Sequence, residues 1–257
     1  MEYIIIGFSS LFASLLTFFS GFGLGTIMLP VFALFFPIEL AVAITGVVHF
    51  LNNLFKITLV GKHASWKIVI KFGIPAVLMA FLGAWLLTAF TNKPPLVVYY
   101  LGNKKCSITL INLIISILMF VFALLELLPF YKKLSFSEDK LYIGGAISGF
   151  FGGLSGHQGA LRSAFLIKCG LTKEAYIATG IVIATIVDIS RLSVYFSRID
   201  KIAFINNQFI IFTAVISAFA GAYLGKKLLK KITLSTLHII VSLMIMALSI
   251  LLGIGYI

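Results

Sequence analysis

The chain has 257 residues, of which 61% are hydrophobic and 11% are charged. A soluble domain carries roughly 45–50% hydrophobic and about 25% charged residues, so this composition excludes a fold whose exterior faces water. Lysine and arginine outnumber aspartate and glutamate by 20 to 8, but most lie in short breaks between apolar runs, where they anchor helices at lipid headgroups. We therefore predict an all-α polytopic membrane protein whose partner is the lipid bilayer and not nucleic acid.

Largely uncharged runs follow one another along the chain, and most have the ~17–25 residues that a helix needs to span a bilayer. They cover residues 3–38, 40–55, 72–92, 106–125, 141–161, 175–187, 202–225 and 232–257. The first run is too long for one crossing, because as a straight helix it would measure about 54 Å against a hydrocarbon core of ~30 Å. Since glycine occupies positions 21, 23 and 25, we expect the helix to break near residues 20–25 and the chain to fold back.

Three short motifs recur in the same order at nearly constant offset, which predicts an internal duplication. Ser20-Gly21 recurs as Ser155-Gly156, Thr45-Gly46 as Thr179-Gly180, and the tetrad that begins at Gly83 as the one that begins at Gly221. A second broken segment is therefore expected at residues 152–159. The duplication divides the chain into a first transmembrane repeat (1–131), a cytoplasmic linker (132–140) and a second transmembrane repeat (141–257).

The distribution of basic residues predicts how the two repeats are oriented. If each half contributes five membrane-embedded helices, thirteen lysines share one face and five basic residues share the other. The positive-inside rule then places both termini outside the cytoplasm, in a multi-pass protein of the cell membrane. Because five is odd, the repeats must be inverted. We expect their Gly-broken helices to meet near the bilayer midplane, an architecture of many secondary transporters.

The two broken segments are candidate substrate sites. Half-helix N-termini present free N–H groups and a partial positive charge, which suits an anion. The alternative is that these glycines only allow helices to pack closely. The candidate residues are Gly21, Phe22, Gly23 and Gly25 in the first break, and Gly156, His157, Gln158 and Gly159 in the second.

Three charged residues follow the second break inside apolar runs. Arg162 should face a cavity or a partner, since a charge inside the membrane is costly. Its guanidinium fork suits a carboxylate, sulfonate, sulfite or sulfate. The alternative is an ion pair with Asp188, the only acid that lies well inside a predicted span. Asp188 and Arg191 are three residues apart, so on a helix they can also pair with each other.

A stripe of polar residues lies in the helix of the first half that corresponds to the helix carrying Asp188 and Arg191. His49, Asn52, Asn53 and Lys56 are spaced i, i+3, i+4 and i+7, so they lie on one helical face that is not expected to meet lipid. They either hydrogen-bond to the neighbouring broken backbone or contact the substrate, and we include His49, Asn52 and Asn53 among the substrate candidates. His49 and His157, together with Asp188, are candidates for proton coupling.

With these residues in view, the sequence resembles the TauE/SafE family of sulfite and organosulfonate exporters. The resemblance covers nearly the whole chain and rests on SGFGLGT (20–26), AVAITG (41–46) with Asn52, GFFGGLSG (149–156), ATG (178–180) and the D-x-x-R-x-x-x-Y pattern of residues 188–195. It implies a carrier for small sulfur-containing or carboxylate anions, with the two Gly-rich breaks forming the site. His157 and Gln158 depart from the purely small-residue pattern expected at the second break.

The predicted function is a secondary transporter, in the exporting direction, of a small anion such as sulfite or an organosulfonate, by alternating access. A metal-cation permease is one alternative, and it predicts intramembrane carboxylate, Met or His side chains near one another. An intramembrane enzyme or assembly factor is another. The sequence contains no P-loop, dinucleotide fingerprint, nucleophile elbow or ligand cluster, so we expect no enzymatic activity, no cofactor and no bound metal.

Overall fold

The computed structural model of the protein describes residues 1–20, 24–91, 93–128, 135–198, 201–228 and 235–257. In the first half the described helices are α1 (Glu2–Ser20), α2 (Leu24–Ala33), α3 (Ile38–Val60), α4 (Trp66–Phe90) and α5 (Leu110–Leu127). In the second half they are α6 (Leu141–Ser155), α7 (Gly159–Leu166), α8 (Lys173–Arg198), α9 (Lys201–Asn206), α10 (Gln208–Leu228) and α11 (Ser235–Gly253). Short 3-10 turns cover Gly61–His63 and Glu138–Lys140.

Five of these helices, α3, α4, α5, α8 and α10, are long and apolar enough to cross a membrane, and α1, α2 and α11 contain shorter apolar helices. This confirms the prediction of an all-α polytopic membrane protein. The two shortest apolar runs of the sequence extend into full-length helices, α3 and α8, as expected. These two are the most buried of the five long helices, so they form the centre of the bundle.

A two-stranded hairpin was missed by the sequence prediction. Strand β1 (Val97–Leu101) pairs antiparallel with β2 (Lys104–Ile108), with Tyr99 opposite Cys106. Gly102 adopts a φ of +61° at the turn. The run of β-branched and aromatic residues followed by Gly-Asn is a hairpin signal. The expected helix start at residue 106 is therefore wrong, and α5 begins at Leu110 after a Thr109 cap whose Oγ1 accepts from the N–H of Asn112 at 3.1 Å.

The second half contains the expected interruption, while the first expected break falls on residues outside the described part of the chain. Helix α1 ends at Ser20 and α2 begins at Leu24, while Gly21, Phe22 and Gly23 lie outside the described residues. Helix α6 ends at Ser155, Gly156 takes the left-handed φ of +81°, and α7 begins at Gly159. The two regions meet, because a methyl group placed on Gly25 of α2 would lie 3.5 Å from the carbonyl oxygen of Gly156.

Helices of the first half pack mainly against helices of the second half. Helix α1 packs on α10 and α6 packs on α4, while α3 packs on α8 and α5 on α11. The recurring tetrads take equivalent places: a methyl group on Gly83 would overlap the Phe150 carbonyl oxygen of α6, and one on Gly221 would overlap the Leu11 carbonyl oxygen of α1. The same motif therefore makes the close helix contact in each half.

Close packing also explains glycines of α6. A methyl group on Gly145, Gly149 or Gly153 would overlap a carbonyl oxygen of α4. These residues are spaced by four, so they form one packing stripe. Gly153, just before the predicted site residues of the second break, therefore serves helix packing, the alternative considered for glycines of the broken segments.

Candidate substrate site

A cleft with an empty volume of about 460 Å³ opens among α1, α2, α3, α7 and α8. The last turn of α1 and the first residue of α2 form one wall, and the second half of α3 faces α7 and the first half of α8. Its polar lining consists of Thr17, His49, Asn53, Lys56, Arg162, Ser163 and Tyr176. Phe18, Leu24, Leu166, Ile177, Gly180 and Ile181 complete it. The cleft thus joins the region of both breaks to the polar stripe of α3.

Two cations line this cleft, and among the described residues that line it there is no carboxylate. Arg162 is buried in α7 and its Nη1 donates to Gln158 Oε1 at 3.4 Å. Within the described ranges no carboxylate lies within 4 Å of its guanidinium, so the alternative of an ion pair with Asp188 is wrong. Gly180 leaves room for the guanidinium, since a methyl group there would lie 3.4 Å from Arg162 Nε.

Lys56 supplies the second cation and is only 3% exposed. Its Nζ lies 5.6 Å from the centre of the Phe18 ring, a cation–π contact. With the Asn52 amide oriented to satisfy its neighbours, its oxygen accepts from Lys56 Nζ at 3.2 Å and its nitrogen donates to the Ala218 carbonyl at 3.1 Å. Asn52 is therefore buried behind the cleft and positions Lys56, while Asn53 and His49 line the cleft directly.

A buried hydrogen-bond network lies behind the cleft around Asp188. Its Oδ1 accepts from Arg191 Nε at 2.9 Å, and Arg191 Nη2 lies 2.7 Å from the same oxygen at an angle that makes an ion pair but no hydrogen bond. The expected Asp188–Arg191 pair is thus formed, and both side chains are fully buried. The two charges cancel, so they leave the charge of the cleft to Lys56 and Arg162.

His49 connects this network to the cleft. Its Nδ1 lies 2.6 Å from Asp188 Oδ2, and because an ionised carboxylate can only accept, Nδ1 carries the proton. The bond joins α3 to α8. Asn53 Nδ2 lies 3.4 Å from His49 Nε2 and from Asp188 Oδ2, and Gln158 Nε2 lies 3.5 Å from Asp188 Oδ1. The polar stripe and the second break therefore converge on one carboxylate.

Hydrogen bonds within α6 and from side chains of α8 stabilise the second break. The N–H of Gly156 donates to the Gly152 carbonyl at 3.0 Å, so the expectation that Gly156 offers a free N–H to the substrate is wrong. Arg191 Nη1 donates to the same carbonyl at 3.4 Å, and a methyl group on Gly156 would lie 2.9 Å from that nitrogen. Tyr195 donates its hydroxyl to the Gly153 carbonyl. Arg191 and Tyr195 therefore brace the broken helix.

His157 lies at the break and away from the cleft. Its Nδ1 lies 3.0 Å from Ser155 Oγ and its ring stacks on Phe122 with centroids 5.4 Å apart. The structure brings together His49, Asn53 and Arg162 in the cleft lining. It places Asn52, Gln158, Asp188 and Arg191 behind the cleft. Gly25 and Gly156 lie where the two break regions meet, and His157 and Gly159 lie in the second break. Gly21, Phe22 and Gly23 lie outside the described residues.

Several residues of the site region were not found by sequence reasoning. Lys56 belongs to the predicted stripe, but its place beside Arg162 depends on the crossing of α3 with α7 and α8. Gly180 was present in the repeat motif and in the family motif ATG (178–180) but was not predicted to line the site. No sequence pattern pointed to Tyr176. Asp188 is also not the only buried acid, because Glu126 near the end of α5 is 6% exposed and accepts from Ser242 Oγ at 3.3 Å.

Comparison with known proteins agrees with the resemblance seen in the motifs. A family described as "Sulfite exporter TauE/SafE" matches residues 6–252. No protein of curated function and no solved structure matches the chain. The match covers nearly the whole chain, so it includes both breaks, the polar stripe and the Asp188 network. The chain belongs to the sulfite exporter TauE/SafE family, a family of membrane transporters for sulfur-containing anions.

Proposed function

We propose that the chain moves a small sulfur-containing oxyanion, such as sulfite or an organosulfonate, out of the cell by alternating access, and that the cleft is its binding site. The observation that carries this proposal is the pair of buried cations, Lys56 and Arg162, lining the cleft with no described carboxylate beside them. Related carboxylate anions share the required charge and are included as candidates.

Charge balance supports an anion. Lys56 and Arg162 contribute two positive charges, Arg191 and Asp188 cancel, and a neutral His49 adds none. At ~4 Å and an effective dielectric constant of ~20, each cation attracts a unit negative charge by about 4 kcal/mol. Two such cations in a buried cleft are costly when it is empty, and an anion with one or two negative charges offsets that cost.

Shape supports an oxyanion of modest size. The guanidinium of Arg162 presents parallel donors that suit two oxygens of one sulfite or sulfonate group. Asn53 and Ser163 add neutral polar groups to the lining, which suit the remaining oxygens of such an anion. A metal cation would meet repulsion here, and within the described residues no cluster of three or more His, Cys, Asp or Glu side chains could hold a metal ion.

We also propose that residues 1–131 and 141–257 are inverted repeats joined by the cytoplasmic linker, with both termini outside the cytoplasm. The packing of each half against the other and the equivalent contacts of Gly83 and Gly221 support two related halves. The C-terminal segment lies beside the hairpin, since Tyr99 Oη donates to the Ile254 carbonyl at 2.6 Å. On the charge count that segment belongs to the outer face.

Protons are the coupling ion that the site favours. His49 is one of the residues that line the cleft, and its Nδ1 contacts Asp188. An anion beside Lys56 and Arg162 offsets the repulsion that a protonated His49 would meet, so anion and proton binding would favour each other.

The test is transport of radiolabelled sulfite by purified protein in proteoliposomes. Arg162→Gln should lower the rate at least tenfold, because a hydrogen bond to a charged group contributes about 1.5–3 kcal/mol and 1.4 kcal/mol is a factor of ten. Lys56→Gln should have a similar effect. The matched controls are Arg198→Gln and Lys62→Gln, at exposed positions outside the cleft, and both should transport normally.

A second readout separates binding from movement. Sulfite should raise the thermal stability of the wild type, by mass action on the folded state, and should not raise that of Arg162→Gln. Wild-type vesicles that move sulfite no faster than empty liposomes would refute the proposed substrate. Normal transport by both cleft variants would refute the proposed site.

A further inference from the structure

A second cavity, which we call the vestibule, lies at the other ends of α2 and α3. It has an empty volume of about 690 Å³. Its walls come from the end of α2 and the start of α3, the end of α4, the start of α5 and the C-terminal segment. The residues used below are Ala33, Glu39, Lys93, Asn112 and Ile257.

The cleft and the vestibule are opposite ends of one helix seam. On α2, Leu24 lines the cleft and Ala33 lines the vestibule, a separation of about 14 Å at 1.5 Å per residue. On α3, Glu39 lines the vestibule and His49 lines the cleft, which gives about 15 Å. The distance between the two cavities is therefore about the same along α2 as along α3.

The interval is closed by packed side chains in this structure. Nine of the ten residues of α2 are buried. Met28, Leu29 and Phe32 of α2 belong to the same core cluster as Ile44 and Val48 of α3. An anion that passes along this seam therefore requires α2 and α3 to separate.

Thr45 of α3 is a polar residue placed inside this closed interval. It is 1% exposed, and its Oγ1 has no hydrogen-bond partner within the part of the chain that the structure describes. Its methyl group faces the start of α2, 3.6 Å from where a methyl on Gly25 would lie, and the next residue, Gly46, packs against the Arg191 guanidinium.

Unlike Thr45, the equivalent threonine of the second half has a hydrogen-bond partner among the described residues. Thr179 is the counterpart of Thr45 in the second half, and its Oγ1 accepts from the N–H of Ser65 at 2.9 Å. A buried hydroxyl without a hydrogen-bond partner destabilises the fold. The presence of such a hydroxyl at Thr45 is explained if its partner arrives only during the transport cycle.

We propose that the cleft and the vestibule are the two ends of one anion path, and that the Thr45 hydroxyl donates to the anion as it crosses between them. This rests on the proposed function and adds the other end of the path and a residue along it. Lys93 and Glu39 carry opposite charges in the vestibule lining, so an anion is held less strongly there than between Lys56 and Arg162. Weaker attraction at the second end lets the anion leave.

Thr45→Val is the first test, because valine keeps the shape and removes only the hydroxyl. The melting temperature should be unchanged or higher, the stabilisation by sulfite in the cleft should persist, and the maximal transport rate should fall at least fivefold. Thr185→Val is the matched control: Thr185 is equally buried on α8 but donates to the Ile181 carbonyl at 2.9 Å. It should transport sulfite normally.

The vestibule is tested by thiol modification in a variant that lacks Cys106 and Cys169. A membrane-impermeant, negatively charged thiol reagent should react with Asn112→Cys and block transport. The same reagent should modify Tyr100→Cys, on the exposed hairpin, without blocking transport. Ile257→Cys lines the cavity from the C-terminal side and serves if Asn112→Cys does not fold.

The outcomes separate this inference from the proposed function. Full transport by Thr45→Val would remove Thr45 from the path. Modified Asn112→Cys or Ile257→Cys with undiminished transport would exclude the vestibule. In both cases the proposed function stands if Arg162→Gln remains defective. A wild type that neither binds nor moves sulfite overturns both.

Discussion

Replacing Asp188 by asparagine should destabilise the protein by about 3–5 kcal/mol, the usual effect of removing one partner of a buried ion pair. Asp188 and Arg191 are both fully buried, and the carboxylate accepts from Arg191 Nε at 2.9 Å and from His49 Nδ1 at 2.6 Å. Asparagine keeps the shape but leaves the guanidinium uncompensated. The unfolding equilibrium constant should therefore rise roughly a hundredfold to several-thousandfold.

The assay is reversible unfolding of the purified protein in micelles, followed by circular dichroism. Arg191→Gln in the Asp188→Asn background should recover part of the loss, with a coupling energy of about 2–3 kcal/mol between the two sites. Glu174→Gln, an exposed acid at the start of the same helix, should change stability by no more than ~0.5 kcal/mol. A loss below ~1 kcal/mol for Asp188→Asn, or simple additivity in the double variant, would show that the two buried charges do not compensate each other in the folded protein.

Two further predictions concern the packing of α6 and the linker. Gly149→Ala would place a methyl group 2.5 Å from the Ala76 Cα, well inside ordinary contact, and should cost about 1–3 kcal/mol in the same unfolding assay; an unchanged midpoint would mean that α4 and α6 separate freely. Hydrogen bonds from Lys71 and Lys67 lower the pKa of the Glu138 carboxyl, so its stabilising effect is present above the unfolded value of ~4.3 and is lost as the pH falls through the lower folded value. The difference in melting temperature between the wild type and Glu138→Gln should close on acidification, and a difference that does not change with pH would contradict the assigned ion pairs.

Parts of the candidate site were predictable because they depend on spacing within one helix. The stripe of His49, Asn53 and Lys56 follows from helical periodicity, and the pairing of Asp188 with Arg191 follows from their separation by three residues. Contacts between helices were not predictable in this way. The bond from His49 to Asp188 joins residues 139 positions apart, and no local pattern specifies which helix faces which.

The misses have identifiable physical causes. The hairpin at residues 97–108 is short and its last three residues are uncharged, so they were assigned to the apolar run 106–125, although the turn sequence signals a strand pair. The Gly156 N–H was expected to be free because helix ends leave donors unsatisfied, but the left-handed turn lets it bond to Gly152. The packing stripe of Gly145, Gly149 and Gly153 was not predicted, because a spacing of four does not by itself identify which helix lies opposite.

Composition and periodicity alone determined that this chain is a membrane protein built as a bundle of helices with glycine-broken segments. The reason is that the hydrocarbon core tolerates few charges and requires every backbone N–H and C=O to be hydrogen-bonded within the protein. They also determined which residues are too polar to face lipid. Only the tertiary structure decided that Lys56 and Arg162 share a cleft while Arg191 is neutralised behind it. That outcome depends on how α3, α7 and α8 cross, and the sum of charges around a cavity is a property of several helices that no single one encodes.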